Sequence, residues 1–154
     1  MTINDKKEIL IQLEISLSEK ITALKQQITD LTTDAQNDAK GSAGDKHETG
    51  LAMMHLEQEK LSTKLKEVIT QLQNIRSISI DKEHRVISMG SLIDVETAIF
   101  FVSEALPHFI YRKKMIFPLS TQAPIYIELK GKKLSFVKTM ITNLKMQSYG
   151  KVES

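Results

Sequence analysis

LAMMHLEQEKLSTKLKEVITQLQNI, from Leu51 to Ile75, places Leu51, Met54, Gln58, Leu61, Leu65, Val68, Leu72 and Ile75 at alternating steps of three and four residues. That spacing returns each side chain to one narrow face of an α-helix, the seam pattern of a coiled coil. Only Gln58 breaks the apolar run. Upstream, Leu10, Leu13, Leu17, Ile21, Leu24, Ile28, Leu31 and Ala35 repeat the pattern, with one irregular step near Leu17–Ile21. No Gly or Pro interrupts residues 2–40. The two patterns predict helices over about 5–39 and 46–76, roughly 50 Å and 45 Å long at the α-helical rise.

Each helix carries one apolar stripe, which it cannot leave in water. Helices of matched length joined by a short Gly-containing segment pack most economically as an antiparallel hairpin, stripe on stripe. Gly41 and Gly44 supply conformations that reverse a chain, and Ser42 and Asp45 are N-cap residue types. Asp45 and Glu48 also have the spacing of a capping box, which alone is reason enough for carboxylates at that position.

Past Ile75 the period changes. Short β-branched and aromatic runs predict strands near 86–88, 91–95, 98–103 and 109–117. STQAPIYIELKG predicts a short helix capped by Ser120 or Thr121, with Pro124 in its first turn and Gly131 at its stop. KKLSFVKTMITNLKM supplies one or two more strands. The fold class is therefore α+β: a coiled-coil hairpin over 1–76 with its tip near 41–48, then a small domain over 77–154.

The 154-residue chain has 5% aromatics and no Trp, so its core is aliphatic. Residues 1–40 carry a net charge of −2, residues 41–76 are neutral, and residues 77–154 carry +4. The chain lacks cysteine, which excludes thiol nucleophiles, disulfides and Cys-ligated zinc. The opening MTINDKKEILIQLEISLSEK is broken by charge every few residues, and no run of about 18 apolar residues exists. These features predict a cytoplasmic protein with no membrane segment. His47 and His55 flank the tip without His-Glu-x-x-His spacing, so no intrinsic metal site is expected.

Two stretches carry a family resemblance. GDKHE, Gly44–Glu48, is similar to a Gly-Asp-x-x-Glu motif at a hairpin tip. PIYIELKGK, Pro124–Lys132, resembles a Pro-hydrophobic-x-x-x-Leu-x-Gly-Lys helix. In that order and on those elements they resemble the Gre family of bacterial transcript-cleavage factors, which join a coiled-coil hairpin to an FKBP-like domain. The differences point to a divergent Gre-like branch. Thr49, Gly50, Leu51 and Ala52 follow Glu48 where the family has Asn and an aromatic residue. Ala123 replaces a Ser, and Ser135 and Phe136 replace a Gly-Asp pair.

The resemblance implies a protein that is no enzyme by itself and has no cofactor of its own. Its tip enters the secondary channel of RNA polymerase, where Asp45 and Glu48 help hold the second Mg²⁺ of the polymerase and stimulate cleavage of backtracked RNA. The basic C-terminal domain docks on the polymerase rim through Ala123, Pro124, Ile125, Lys130, Lys132 and Lys133. Contact with nascent RNA is indirect, and DNA contact is secondary. Two alternatives accompany this reading. The altered residues after Glu48 suit a channel-binding regulator without cleavage activity. Met53, off the stripe, and Met54, on it, suit a coiled-coil adaptor or chaperone-like protein that grips apolar segments. Prolyl isomerase activity needs an aromatic-lined pocket, which this composition does not support.

Overall fold

The computed structural model describes residues 2–38, 45–135 and 137, with side chains described except at 35–38 and 45–47. Gly41, Ser42 and Gly44 of the tip segment lie outside the described residues. The described elements are two long helices, α1 (Ile3–Asp38) and α2 (Asp45–Arg76), four strands, β1 (Leu92–Val95), β2 (Ala98–Ser103), β3 (Phe109–Tyr111) and β4 (Lys114–Ser120), and a short helix, α3 (Pro124–Leu129). The chain divides into two compact units: Gln12–Gln73, and Met1–Ile11 together with Asn74–Ser154. The opening turns of α1 thus group with the C-terminal unit.

In the helical unit the stripes read from the sequence are the less exposed positions. Leu13, Leu17, Leu24, Val68 and Leu72 are buried. Ile21, Ile28, Leu31, Leu51, Met54, Gln58, Leu61 and Leu65 are half-buried. Met53, off the stripe, is 66% exposed. The polar break in the seam finds a partner: Gln58 Nε2 donates to Thr32 Oγ1 at 2.8 Å. A polar side chain at a seam position fixes pairing register while giving up apolar burial.

The C-terminal unit is a mixed sheet of strand order β1-β2-β4-β3. β1 pairs antiparallel with β2, β2 parallel with β4, and β3 antiparallel with β4. The chain leaves β2, lays β3 on the outer edge, and returns β4 into the gap between them. Register places Ile93 opposite Phe100 and Phe100 opposite Phe117. Phe100 and Phe117 stack with ring centroids 5.4 Å apart. Ile93 and Phe100 on this face, with Val95 and Val102, pack with Ile87, Tyr126 and Leu129 of α3, and Val137 into one apolar cluster.

Four expectations are corrected. The run over 109–117 is not one strand. It reverses at Arg112 and Lys113, both at positive φ (47° and 66°), which is the geometry of a two-residue hairpin turn matched to strand twist. The usual Asn-Gly signal is missing because neither residue is Gly or Asn. The strand expected at 86–88 is reduced to a single bridge between Val86 and Lys133. The segment after Lys133 opens as a helical turn, Val137 N–H donating to Lys133 C=O at 3.2 Å, where a strand was expected; residues 138–146 lie outside the described residues. Neither Ser120 nor Thr121 caps α3. Ala123 holds the N-cap position without a side-chain bond, and Ser120 Oγ instead accepts from Gln122 N–H at 3.1 Å.

Gly131 does end α3, at φ +77°. Its N–H turns away to donate to Ile87 C=O at 3.0 Å, and Ile87 N–H donates to Lys132 C=O at 2.9 Å. Gly90, at φ +90°, fits a tighter place. A Cβ there would lie 3.1 Å from Ile78 Cγ2 and 3.3 Å from His84 Nε2. Gly90→Ala is expected to lower unfolding stability by about 1–3 kcal/mol, from backbone strain and crowding. Gln58→Leu is expected to raise it by roughly 1 kcal/mol, by exchanging an exposed hydrogen bond for apolar burial in the seam. Urea denaturation of both variants checks the two signs.

Candidate functional site

Asp45 opens α2, and Glu48 sits in its first turn. Residues three apart on a helix share a face, so the backbone puts the acidic pair on one side of the helix start. The Glu48 side chain is exposed, while that of Asp45 lies outside the described residues. Gly50, one turn on, has open space around its Cα. Carboxylates at a helix start offer hard oxygen donors, which suit Mg²⁺ and complement the helix dipole.

The second predicted group lies in the C-terminal unit. Ala123 is half-buried against the apolar cluster and fixes the start of α3. Pro124 is exposed, as are Ile125 and Ile127 at 45% and 65%. α3 turns Tyr126 and Leu129 inward, so Ile125 and Ile127 are left in solvent. Lys130, Lys132 and Lys133 follow, all exposed. The fold adds a fourth cation that sequence spacing does not reveal. Leu134 N–H donates to Arg85 C=O at 3.0 Å, which sets exposed Arg85 beside the lysine segment. Arg85 and Leu134 are remote in sequence, and a single bridge leaves no periodic signal.

Another cluster of ionisable side chains in the same unit joins α1 to the β3–β4 turn. Thr2 and Asp5 close a capping box at the start of α1. Thr2 N–H and Oγ1 both donate to Asp5 Oδ2 at 2.9 Å, and Asp5 N–H donates to Thr2 Oγ1 at 3.2 Å. The other Asp5 oxygen, Oδ1, accepts the Tyr111 hydroxyl at 2.9 Å and faces Arg112 at 3.1 Å. Tyr111 also reaches Glu8 Oε2 at 2.5 Å. Hydrogen bonds from Thr2, then from Tyr111, with Arg112 adding its charge, hold the Asp5 carboxyl at about 2, below the ordinary 3.8. The Glu8 bond, burial and the Asp5 bond push the Tyr111 phenol far above its usual range. These contacts anchor the β3–β4 turn to α1.

Among the described residues no three His, Asp or Glu side chains converge as metal ligands, and no helix is long and apolar enough to cross a membrane. In comparisons with known proteins, no family model, no curated sequence and no solved structure matches the chain.

The depressed Asp5 carboxyl fixes a sign. The group binds a proton more readily unfolded than folded, so its contribution is complete above about 3.8 and is lost as pH falls toward about 2. Chemical denaturation between pH 5 and 2 is expected to show stability falling along this limb. Asp5→Asn is expected to flatten that limb and to lower stability at pH 7.

Proposed function

We propose that the chain is a Gre-like transcription factor. Its two long helices form a coiled-coil hairpin whose tip enters the secondary channel of bacterial RNA polymerase and stimulates cleavage of backtracked RNA. The observation that carries this reading is the acidic pair one helical turn apart at the start of α2, with Glu48 exposed, on a unit built of two helices of 36 and 32 residues. At the α-helical rise those helices are about 54 Å and 48 Å long, a reach suited to an active site at the bottom of a channel.

Cleavage of an RNA phosphodiester by the polymerase's own centre uses two Mg²⁺ ions to activate water and to stabilise the leaving oxygen. Asp45 and Glu48 together would provide oxygen ligands for the less tightly held ion and a hydrogen-bond acceptor for the attacking water. The chain supplies no nucleophile and acts in trans on the polymerase's chemistry. The C-terminal unit, read as FKBP-like, contributes the docking face: Ala123 and Pro124 shape it, Ile125 gives it an apolar edge, and Lys130, Lys132 and Lys133 give it charge. Positive charge on such a face speeds encounter with an acidic rim and makes binding salt-dependent.

A second reading keeps the channel and drops the cleavage. It draws on the residues after Glu48, where Thr49 and Gly50 are exposed and no aromatic side chain follows.

The deciding experiment uses a stalled, backtracked elongation complex with 5′-labelled RNA in Mg²⁺. Wild-type protein is expected to shorten the RNA, and the Asp45→Asn/Glu48→Gln double variant is expected to slow shortening by roughly 100-fold or more, with unchanged helical circular dichroism. Polymerase binding without shortening by wild type selects the regulator. Failure to bind polymerase overturns both readings.

A further inference from the structure

Residues 85–87 and 131–134 run side by side in the C-terminal unit, tied by backbone bonds on either side of one bridge. Leu134 N–H donates to Arg85 C=O at 3.0 Å, and Ile87 N–H donates to Lys132 C=O at 2.9 Å. Between those bonds Val86 stands opposite Lys133 as an antiparallel partner. In an antiparallel ladder the residue between two such bonds turns its own N–H and C=O to the other side. Among the described residues neither group of Val86 makes a hydrogen bond, and the residue is 44% exposed. Val86 is thus a short open edge, where an extended chain can add main-chain bonds.

The surroundings of that edge are cationic. Arg85, Lys130, Lys132 and Lys133 are all exposed, and among the described residues none of them takes part in an ion pair. The bridge brings Arg85 to the lysines although the two segments are remote in sequence. The nearest carboxylates in sequence, Glu83 and Glu128, lie just outside the strip and are outnumbered. Ile127, one turn before Lys130, adds an aliphatic side chain that is 65% exposed. Residues 85–87 and 130–134 include no aromatic side chain, so the strip has no platform on which a nucleic-acid base could stack.

We propose that this strip binds an extended, acidic segment of a partner protein, which adds a strand beside Val86. The main chain of that segment pairs with the Val86 N–H and C=O. Its carboxylates meet Arg85, Lys130, Lys132 and Lys133, and an aliphatic side chain lies against Val86. The inference rests on the reading of the lysine segment as a docking face, and it names the chemistry of what docks there. Opposite charge speeds encounter and rejects wrong partners, while the edge bonds fix the register of the added strand.

The test titrates the full-length ¹⁵N-labelled chain, without polymerase, with an acetylated peptide of four Glu-Val repeats. A Lys-Val peptide of the same length and a short oligothymidylate are the other two arms. The expected result is saturable shifts at residues 85–87 and 130–134 with the Glu-Val peptide alone, together with slowed hydrogen exchange at the Val86 amide. Main-chain pairing slows that amide, and contact between side-chain charges does not. Lys132→Glu/Lys133→Glu is expected to weaken binding at least about tenfold, and Arg85→Gln to weaken it less, both with unchanged circular dichroism. Lys60→Glu is expected to bind as wild type. Shifts that fail to saturate by roughly 10 mM overturn the site, and saturation with unchanged Val86 exchange overturns the added strand. Equal binding of the oligothymidylate overturns the protein partner in favour of a nucleic acid. Peptide binding by a chain that does not bind polymerase supports the strip and overturns only the polymerase as its partner.

Discussion

Asp5 uses both of its carboxylate oxygens, and the C-terminal unit is organised around that fact. One oxygen closes the α1 cap with Thr2, and the other takes the Tyr111 hydroxyl and faces the Arg112 guanidinium. The cap satisfies donors that every helix start leaves open. The second oxygen holds a turn that is unfavourable by itself, since Arg112 and Lys113 both occupy the left-handed region, where an L side chain crowds its own backbone. The turn positions β4 between β2 and β3, and β4 carries Ile116 and Phe117 into register with Ile99 and Phe100. A single residue near the chain start thus supports the strand at the middle of the sheet.

How much of this was legible in the sequence follows from the range of each interaction. The helical stripes were readable because a period of 3.6 repeats locally over many residues, and the buried set Leu13, Leu17, Leu24, Val68 and Leu72 falls on the positions the spacing picks out. β2 was readable for the same reason, as was the stop at Gly131. The turn at Arg112–Lys113 was hidden because its stability comes from Asp5, more than a hundred residues away, and not from turn-forming residues. The short helical opening after Lys133 was hidden because β-branched and aromatic residues there suggest a strand, while the described backbone pairs Leu134 and Ile87 with distant partners. The cap of α3 is also non-local: Ala123 is held by packing against the sheet.

The candidate residues divide in the same way. Asp45 and Glu48 stand out in sequence because i, i+3 spacing at a helix start is a local pattern. The lysines after α3 stand out because they are consecutive. Arg85 joins them through one backbone bridge. Lys6 looks in sequence like one more solvated charge beside Lys7; burial alone distinguishes them, Lys6 being buried and Lys7 exposed.

The bond between Asp5 and Tyr111 spans 106 positions, and that distance has a consequence for synthesis. The ribosome releases the α1 start long before it makes the turn that this start must hold. Until Tyr111 and Arg112 emerge, Asp5 and Glu8 lack the partners they hold in the folded unit. The C-terminal unit is thus completed by residues made before α2, and a fragment that starts after α2 lacks the stretch around Asp5 that belongs to that unit.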